Sequence, residues 1–144
     1  MVPIREMTIF DYEQVFALWS RTTAMLLREA DSKPNIARYI ERNAGLSFVA
    51  VAQRQIVGAV LVGTDGRRGY LQHLAVDTDF RGRGIGRKLV QSAIDALAKI
   101  GIDKTHLFEA TNNRGAQEFY AKLGWLSRDE MRLYSFIASA NADV

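Results

Sequence analysis

The residues best suited to chemistry lie between positions 79 and 90, which read DFRGRGIGRKLV. Gly82, Gly84 and Gly86 alternate with larger side chains, and the segment runs directly into an apolar helical pattern. A helix N-terminus presents unpaired backbone N–H groups and about half a positive charge, so it binds anions readily. Glycines there let a phosphate reach the backbone without meeting a Cβ atom, and the neighbouring Arg and Lys side chains add positive charge. The segment therefore predicts a phosphate-binding turn.

Four other interpretations compete for the same residues, and two of them are excluded. Glycines at this spacing also suit a tight turn that binds nothing. A Walker-type loop is excluded because no Gly-Lys-Ser/Thr follows, and a dinucleotide fingerprint fails because its third glycine position holds Leu89. An arginine–glycine patch for RNA is disfavoured, since the pattern occurs once and has no interleaved aromatic residues.

A strand before the glycines and a long helix after them must position this turn. The segment YLQHLAV at 70–76 has the composition of a strand. From Gly84 the apolar residues keep a 3.6-residue period, which predicts a helix of about four turns that ends at Gly101. A further strand at 105–110 makes this strand–helix–strand unit a parallel crossover.

The remaining segments predict antiparallel strands and shorter helices. Asp11 and Gln14 have the spacing of a capping box at the start of the first helix. Asn113 has the position of an N-cap on the last helix, which Gly124 ends. The other predicted elements are strands at 2–7, 47–52, 56–63 and 131–137 and a helix from Pro34 to Gly45.

Length and composition predict one domain over residues 1–144, with a frayed tail after about residue 138. The 144 residues are 48% hydrophobic and contain no linker, repeat, secretory signal or membrane span. The absence of cysteine excludes disulfides and thiolate chemistry, and we expect a cytoplasmic protein. A net charge of +3 is too small to indicate nucleic acid.

The sequence also lacks the residues that metal binding and serine-hydrolase chemistry require. The chain has two histidines, no cysteine and no HExxH motif, so we expect no metal. His106 has no partner at metal-ligand spacing. No GxSxG elbow is present for a Ser-His-Asp site.

Two blocks of the sequence resemble the signatures of the GNAT N-acetyltransferases. RGRGIG at 81–86, preceded by Leu74-Ala75-Val76, is similar to the family pattern R/Q-x-x-G-x-G/A. The second block, from Asn113 through Phe119-Tyr120 to Trp125, resembles N-x-x-A-x-x-F-Y-x-K-x-G-F. The likeness covers nearly the whole chain, and GTDGRRG at 63–69 is similar to a small bacterial branch with unassigned acceptors.

This resemblance implies an α/β (α+β) fold and an acyltransferase activity. The implied sheet is mixed and mostly antiparallel, with six to seven strands, a splayed parallel central pair and helices on both faces. The implied reaction moves the acetyl group of acetyl-CoA to a primary amine on a small molecule or a peptide N-terminus. The alternative is a non-catalytic acyl-CoA-binding sensor of the same fold.

The resemblance also implies where acetyl-CoA binds. In the family, backbone amides of the turn before the long helix hold the pyrophosphate, and the pantetheine arm pairs with the fourth strand as an added strand. The matching Asn113 helps to hold the pantetheine, in addition to its role as an N-cap. The matching positions here are Leu74, Ala75 and Val76 on the strand and Arg81, Gly82, Arg83, Gly84, Ile85, Gly86 and Arg87 in the turn.

Tyr120 matches the general acid of the family, which protonates the leaving thiolate. Its helical spacing alone favours simple packing beside Phe119 on the apolar face, and the resemblance reverses that preference.

Relatives often carry a glutamate five residues before the signature Asn, but that position is Phe108 here and the carboxylate follows at Glu109. A one-residue shift in a strand turns a side chain to the opposite face unless a bulge restores it. His73 is an alternative base that acts through a water. An α-amine acceptor, with a pKa of about 7.7–8.0, needs no base at all.

The acceptor itself is not specified by the sequence. In this fold it lies between the segments that correspond here to residues 22–33 and 127–130, and Asp31, Asp129 and Glu130 in them would suit a cationic amine. Relatives commonly form dimers, so a homodimer through the last strand is possible.

Overall fold

The computed structural model describes all 144 residues, and a five-stranded sheet forms the framework of its first 107. The strands are β1 (Ile4–Glu6), β2 (Phe48–Ala52), β3 (Gln55–Thr64), β4 (Gly69–Val76) and β5 (Thr105–His106), in the order β1-β2-β3-β4-β5. The helices are α1 (Tyr12–Ser20), α2 (Lys33–Arg42), α3 (Ile85–Lys99) and α4 (Arg114–Lys122), with short 3-10 turns at Ile9–Asp11, Glu29–Asp31 and Thr78–Phe80. Residues divide into two compact units, Met1–Leu107 and Phe108–Val144, and the single-domain organisation stays a prediction.

The sheet is mixed, as predicted, but smaller. β1 to β4 pair antiparallel, and β4 pairs parallel with β5 through Gly69 with Thr105 and Tyr70 with His106. The predicted parallel crossover from β4 through α3 to β5 is therefore confirmed. Five strands form instead of six to seven, and β5 ends at His106 instead of residue 110.

Helices cover both faces of the central strand β3, which is buried from Ile56 to Gly63. On one face α3 packs closely: a Cβ on Gly58 would lie 3.0 Å from Leu89 Cδ1. On the other face α1 and α2 contribute Trp19 and Ile36 to a core that also holds Ala59 and Leu61 of β3. The layered arrangement follows from apolar stripes on the helices and a strand that is apolar on both sides.

The long helix α3 follows the sequence prediction closely. It begins after Gly84 and ends before Gly101, whose φ of +86° is the left-handed conformation of a helix-terminating glycine. Leu89, Ala93 and Leu97 are fully buried along one stripe. This stripe fixes both the helix and the turn at its N-terminus against the sheet.

The predicted capping box at the start of α1 is wrong. The Asp11 carboxylate makes no side-chain cap to α1; it accepts two hydrogen bonds from the Arg5 guanidinium at 2.8 and 2.9 Å and one from the Thr8 amide at 2.8 Å. Gln14 accepts a hydrogen bond from the Ile56 amide instead. Bidentate charged hydrogen bonds are stronger than a neutral cap, and they decide the orientation of Asp11.

Replacing Asp11 with Asn tests this network through the pH dependence of stability. Burial would raise the pKa of Asp11, but the Arg5 guanidinium and the Thr8 amide bring it below its ordinary value. The carboxyl therefore stabilises the fold above its unfolded pKa of about 3.9 and loses that effect as pH falls through the lower folded value. We expect Asp11→Asn to lower the free energy of unfolding by about 1.5–3 kcal/mol at pH 7.

Urea denaturation at pH 7 and at pH 3 measures this difference, which should shrink at the lower pH. Glu13→Gln is the control, because the Glu13–Lys33 pair is exposed and should contribute nothing measurable. An Asp11→Asn penalty of equal size at both values of pH would contradict the assignment.

The second unit, Phe108–Val144, contains α4 and a long irregular C-terminal segment. The predicted caps of α4 are confirmed: Asn113 Oδ1 accepts a hydrogen bond from the Ala116 amide, and Gly124 follows with a φ of +92°. The strand predicted at 131–137 does not form, and its apolar side chains are exposed. Strand propensity stabilises a strand only through cross-strand partners, and this segment has none.

Candidate active site

The turn at residues 81–86, here called the glycine turn, presents free amides at the N-terminus of α3, except that the Arg81 amide donates to the Thr78 carbonyl at 3.5 Å. Gly82 and Gly84 have φ values of +76° and +79°, and no atom lies within 4 Å of a Cβ built on either. Gly84 is the N-cap and supplies no side-chain cap. Because the first helical hydrogen bond runs from the Lys88 amide to the Gly84 carbonyl, the amides of the first helical turn are available to an external acceptor.

Basic side chains surround the glycine turn, and two of them also shape it. Arg81 Nε donates to the Val76 carbonyl at 3.1 Å, which ties the turn to the end of β4. Arg83 donates to the Asp79 carbonyl and lies 4.8 Å above the Phe80 ring. Arg87 is exposed on the first turn of α3. The site is therefore positive and open, which suits an anion with several charges.

The end of β4 offers a free backbone edge next to this turn. β5 pairs with β4 only at Gly69 and Tyr70, whereas β3 pairs with β4 as far as Val76. Leu74, Ala75 and Val76 thus have no strand partner on the β5 side. Such an edge accepts an extended molecule as an additional strand.

A β-bulge interrupts β4 immediately before this edge. Ala59 pairs with Ala75 and Leu61 with Gln72, so His73 and Leu74 together oppose the single residue Val60. His73 has a φ of +50°, a left-handed conformation that costs a residue other than glycine about 1 kcal/mol or more. The Trp19 indole N–H donates to the His73 carbonyl at 3.1 Å and stabilises the bulge.

The His73 imidazole is paired with a buried carboxylate. Its Nε2 lies 2.8 Å from Asp31 Oδ1, and its ring packs edge-on against Trp19 with centroids 4.8 Å apart. Asp31 belongs to the 3-10 turn Glu29–Asp31 and is 6% exposed. Burial would raise the pKa of Asp31, but hydrogen bonds from His73 and the Arg28 amide hold it below its ordinary value. Asp31 is therefore ionised at neutral pH.

In the second unit, two of the predicted site residues bind each other. Asn113 Nδ2 donates to Glu109 Oε1 at 3.0 Å while Asn113 Oδ1 caps α4. Glu109 is exposed and lies outside any strand, so the predicted flip to the opposite strand face does not apply. β5 is too short to reach it.

Tyr120 is the buried side chain of α4. It is 8% exposed, and it packs edge-on against Phe119 and Trp125 with ring centroids 5.1 and 5.5 Å away. Burial, followed by the negative charge of Glu109, raises the pKa of the Tyr120 phenol well above its ordinary value of about 10. The phenol keeps its proton throughout the neutral range. Its hydroxyl has no protein partner, yet no buried side-chain oxygen is unsatisfied, so it is open to solvent.

Comparison with known proteins identifies the family of the chain. The model of the acetyltransferase (GNAT) family matches residues 10–125. The chain belongs to the GNAT family. An acetyltransferase of Pectobacterium atrosepticum is 37% identical over 120 residues, which cover 83% of this chain and 84% of that protein. One from Sodalis glossinidius is 33% identical over 124 residues, covering 85% and 86% of the two chains.

The GNAT fold is also found among solved structures. The PaiA N-acetyltransferase of Thermoplasma acidophilum, solved with coenzyme A, superposes with a TM-score of 0.78. It is 23% identical, and the match covers 90% of this chain and 92% of the other. At this identity the likeness concerns the fold, and acetyl transfer by this GNAT chain follows from the family and its acetyltransferase relatives.

The sequence did not predict two features of the structure near His73 and Gln72. Trp19 and Asp31 lie 54 and 42 residues from His73 along the chain, and no spacing or motif in the sequence predicts either contact. The other feature is a cavity of about 220 Å³ beside Gln72, on the sheet face covered by α2. Its lining residues are Tyr39, Arg42, Asn43, Gly63, Thr64, Asp65, Tyr70 and Gln72.

The acidic residues predicted near the acceptor are largely engaged elsewhere. Asp31 binds His73, and Glu130 pairs with Arg128 at 2.8 Å.

His106 packs against Tyr70 with ring centroids 6.0 Å apart. No group of three or more candidate ligands is placed to hold a metal ion, and no helix is both long and apolar enough to cross a bilayer.

Proposed function

We propose that this GNAT protein transfers the acetyl group of acetyl-CoA directly to a primary amine. The glycine-capped N-terminus of α3 carries the proposal, because free amides in a basic surrounding fit the pyrophosphate of coenzyme A. The coenzyme A in the Thermoplasma structure, which shares the fold, supports the choice of ligand. A cytoplasmic location and a homodimer stay predictions.

The proposed acetyl-CoA residues are those that match the family pattern. Amides of residues 82–87 hold the pyrophosphate, while the Arg81 amide already donates to the Thr78 carbonyl, and Arg87 adds charge at the entrance. The pantetheine amides pair with the edge of β4 at Leu74 and Val76, where no strand pairs on the β5 side, and the Val76 carbonyl also accepts a hydrogen bond from Arg81. The Asn113 side chain, which already caps α4, assists in holding the pantetheine.

The chemistry requires one proton to leave the amine and one to reach the sulfur. The amine nitrogen attacks the thioester carbonyl carbon, and the carbon–sulfur bond breaks as the tetrahedral intermediate collapses. Tyr120, held protonated by burial, donates its proton to the departing thiolate. A base takes the proton that the amine loses.

His73 is the stronger candidate for that base. Its imidazole lies at the bulge of β4 on the side of α1. The proposed acceptor site is the cavity lined by the neighbouring residue Gln72, whose lining includes no residue of the segments 22–33 and 127–130 where the acceptor is expected. In this proposal His73 acts on the amine through a water. Glu109, in contrast, already accepts a hydrogen bond from Asn113.

Replacing each candidate base in turn separates their roles. We expect His73→Gln to lower kcat by about 10²–10⁴, the range of general acid–base catalysis, and Glu109→Gln to lower it far less. Steady-state kinetics at saturating acetyl-CoA measure both variants. The Gln at 109 keeps an oxygen for the Asn113 amide, so α4 should be undisturbed. The opposite order of effects would assign the base to Glu109.

Isothermal titration with acetyl-CoA, followed by thiol release against a panel of amines and peptide N-termini, tests the proposal itself. Binding with turnover on at least one amine is the expected result. Binding without any turnover would favour the acyl-CoA sensor. Absence of binding would show that the glycine turn is not a phosphate site in this chain.

A further inference from the structure

The bulge of β4 holds a histidine in a backbone conformation that glycine adopts more easily. His73 has a φ of +50°, and strained residues of this kind persist where the surrounding structure fixes them. The Trp19 indole holds its carbonyl, and Asp31 holds its ring. A glycine would form the same bulge with less strain, so we ask what the imidazole side chain adds at this position.

The hydrogen bonds around Asp31 determine which imidazole nitrogen carries the proton. Asp31 Oδ2 accepts from the Arg28 amide at 3.0 Å, and Oδ1 lies 2.8 Å from His73 Nε2. An ionised carboxylate only accepts hydrogen bonds, so Nε2 must be the donor. The other nitrogen, Nδ1, makes no hydrogen bond within the protein, and it is not a buried nitrogen left without a partner. Nδ1 is therefore in contact with solvent.

We propose that Asp31 is a positioning residue, which fixes the His73 imidazole in the Nε2–H tautomer and orients Nδ1 as the base toward the acceptor amine. The inference rests on the acetyl transfer proposed above. It adds to that reaction a carboxylate that touches neither substrate but stabilises the imidazolium formed when Nδ1 takes the proton.

The alternative is a purely structural role, in which the Asp31–His73 contact only attaches the 3-10 turn to the sheet. The turn has another attachment, because the Tyr12 hydroxyl donates to the Asp31 backbone carbonyl at 2.7 Å. The His73 backbone likewise has its own support from Trp19. The carboxylate–imidazole contact is therefore one of several that hold this region, and its distinctive effect is on the imidazole.

Nitrogen-15 NMR of the histidine rings measures the tautomer in the free protein, without substrate. His106, the other histidine, serves as an internal reference, and His73→Gln assigns the signals. We expect His73 to show the Nε2–H form in the wild type and to gain Nδ1–H form in Asp31→Asn, whose amide can donate to Nε2. A wild type without the Nε2–H form, or an Asp31→Asn variant that keeps it in full, would overturn the inference.

Kinetics test the consequence for catalysis. We expect Asp31→Asn to lower kcat about 100-fold, the lower end of a general base contribution, with the KM for acetyl-CoA unchanged. Tyr12→Phe removes the other attachment of the same turn, and we expect it to keep kcat while lowering the melting temperature. If Tyr12→Phe loses as much kcat as Asp31→Asn, the effect is structural and the inference fails.

The proposed function and the inference fail in different ways. A wild type that acetylates no amine overturns both, whatever tautomer the NMR shows. A wild type that turns over normally beside an equally active Asp31→Asn variant overturns the inference alone.

Discussion

Gly84→Glu is expected to abolish acetyl-CoA binding while the fold survives. Gly84 caps α3 with a φ of +79° and open space around its Cβ position. A glutamate there would place a carboxylate against the amides proposed to hold the pyrophosphate. Juxtaposed like charges cost several kcal/mol, so we expect affinity to fall by about 100-fold or more.

Two variants separate charge from backbone strain in this experiment. Gly84→Ala imposes the same left-handed strain without the charge and should lose much less affinity. Gly66→Glu adds the same charge at another open glycine with a φ of +95°, away from the glycine turn, and should bind acetyl-CoA normally. Isothermal titration, with circular dichroism to confirm folding, compares the three. Undiminished affinity in a folded Gly84→Glu protein would refute the phosphate site.

Tyr120→Phe should lower kcat by about 10²–10⁴ with little change in acetyl-CoA affinity, because a general acid contributes in that range. At Tyr120 this substitution removes the hydroxyl without disturbing the packing. Its ring packs against Phe119 and Trp125, and phenylalanine preserves that packing. The hydroxyl makes no hydrogen bond within the protein, so its removal leaves no polar group unsatisfied.

Tyr134→Phe is the matched control, since it deletes the same hydroxyl from a tyrosine that is 84% exposed. Thiol release at saturating acetyl-CoA and amine measures both variants, and their melting temperatures should stay close to that of the wild type. Full activity in Tyr120→Phe would remove the general-acid role and leave the residue as part of the aromatic packing of α4.

Much of the fold could be predicted because local sequence determines it. The bounds of α3 follow from a 3.6-residue apolar pattern between Gly84 and Gly101, and Gly101 has the left-handed backbone that the C-terminal end of a helix favours. The N-cap at Asn113 is also local, and the structure confirms it. These features depend on residues a few positions apart along the chain, so the local residue pattern is enough to predict them.

The errors arise where distant residues compete for the same groups. Asp11 has a capping-box sequence, but Arg5 of the neighbouring strand takes its carboxylate. The apolar segment at 131–137 has strand propensity but no partner strand. The pairing of Asp31 with His73 joins residues 42 positions apart, and a lone aspartate in a connecting segment carries no signal of such a contact.

The bulge at His73 means that β4 can lose one residue without losing its pairing with β3. Val60 faces two residues of β4, while the pairs on either side, Ala59 with Ala75 and Leu61 with Gln72, are regular. Deleting one of the two residues would restore an unbroken ladder and leave Tyr70, Gln72 and Ala75 on their present sheet face. His73 is in this sense an extra residue in a strand that can pair without it. A variant that lacks residue 73 should therefore keep the antiparallel pairing of β3 with β4 on both sides of the former bulge.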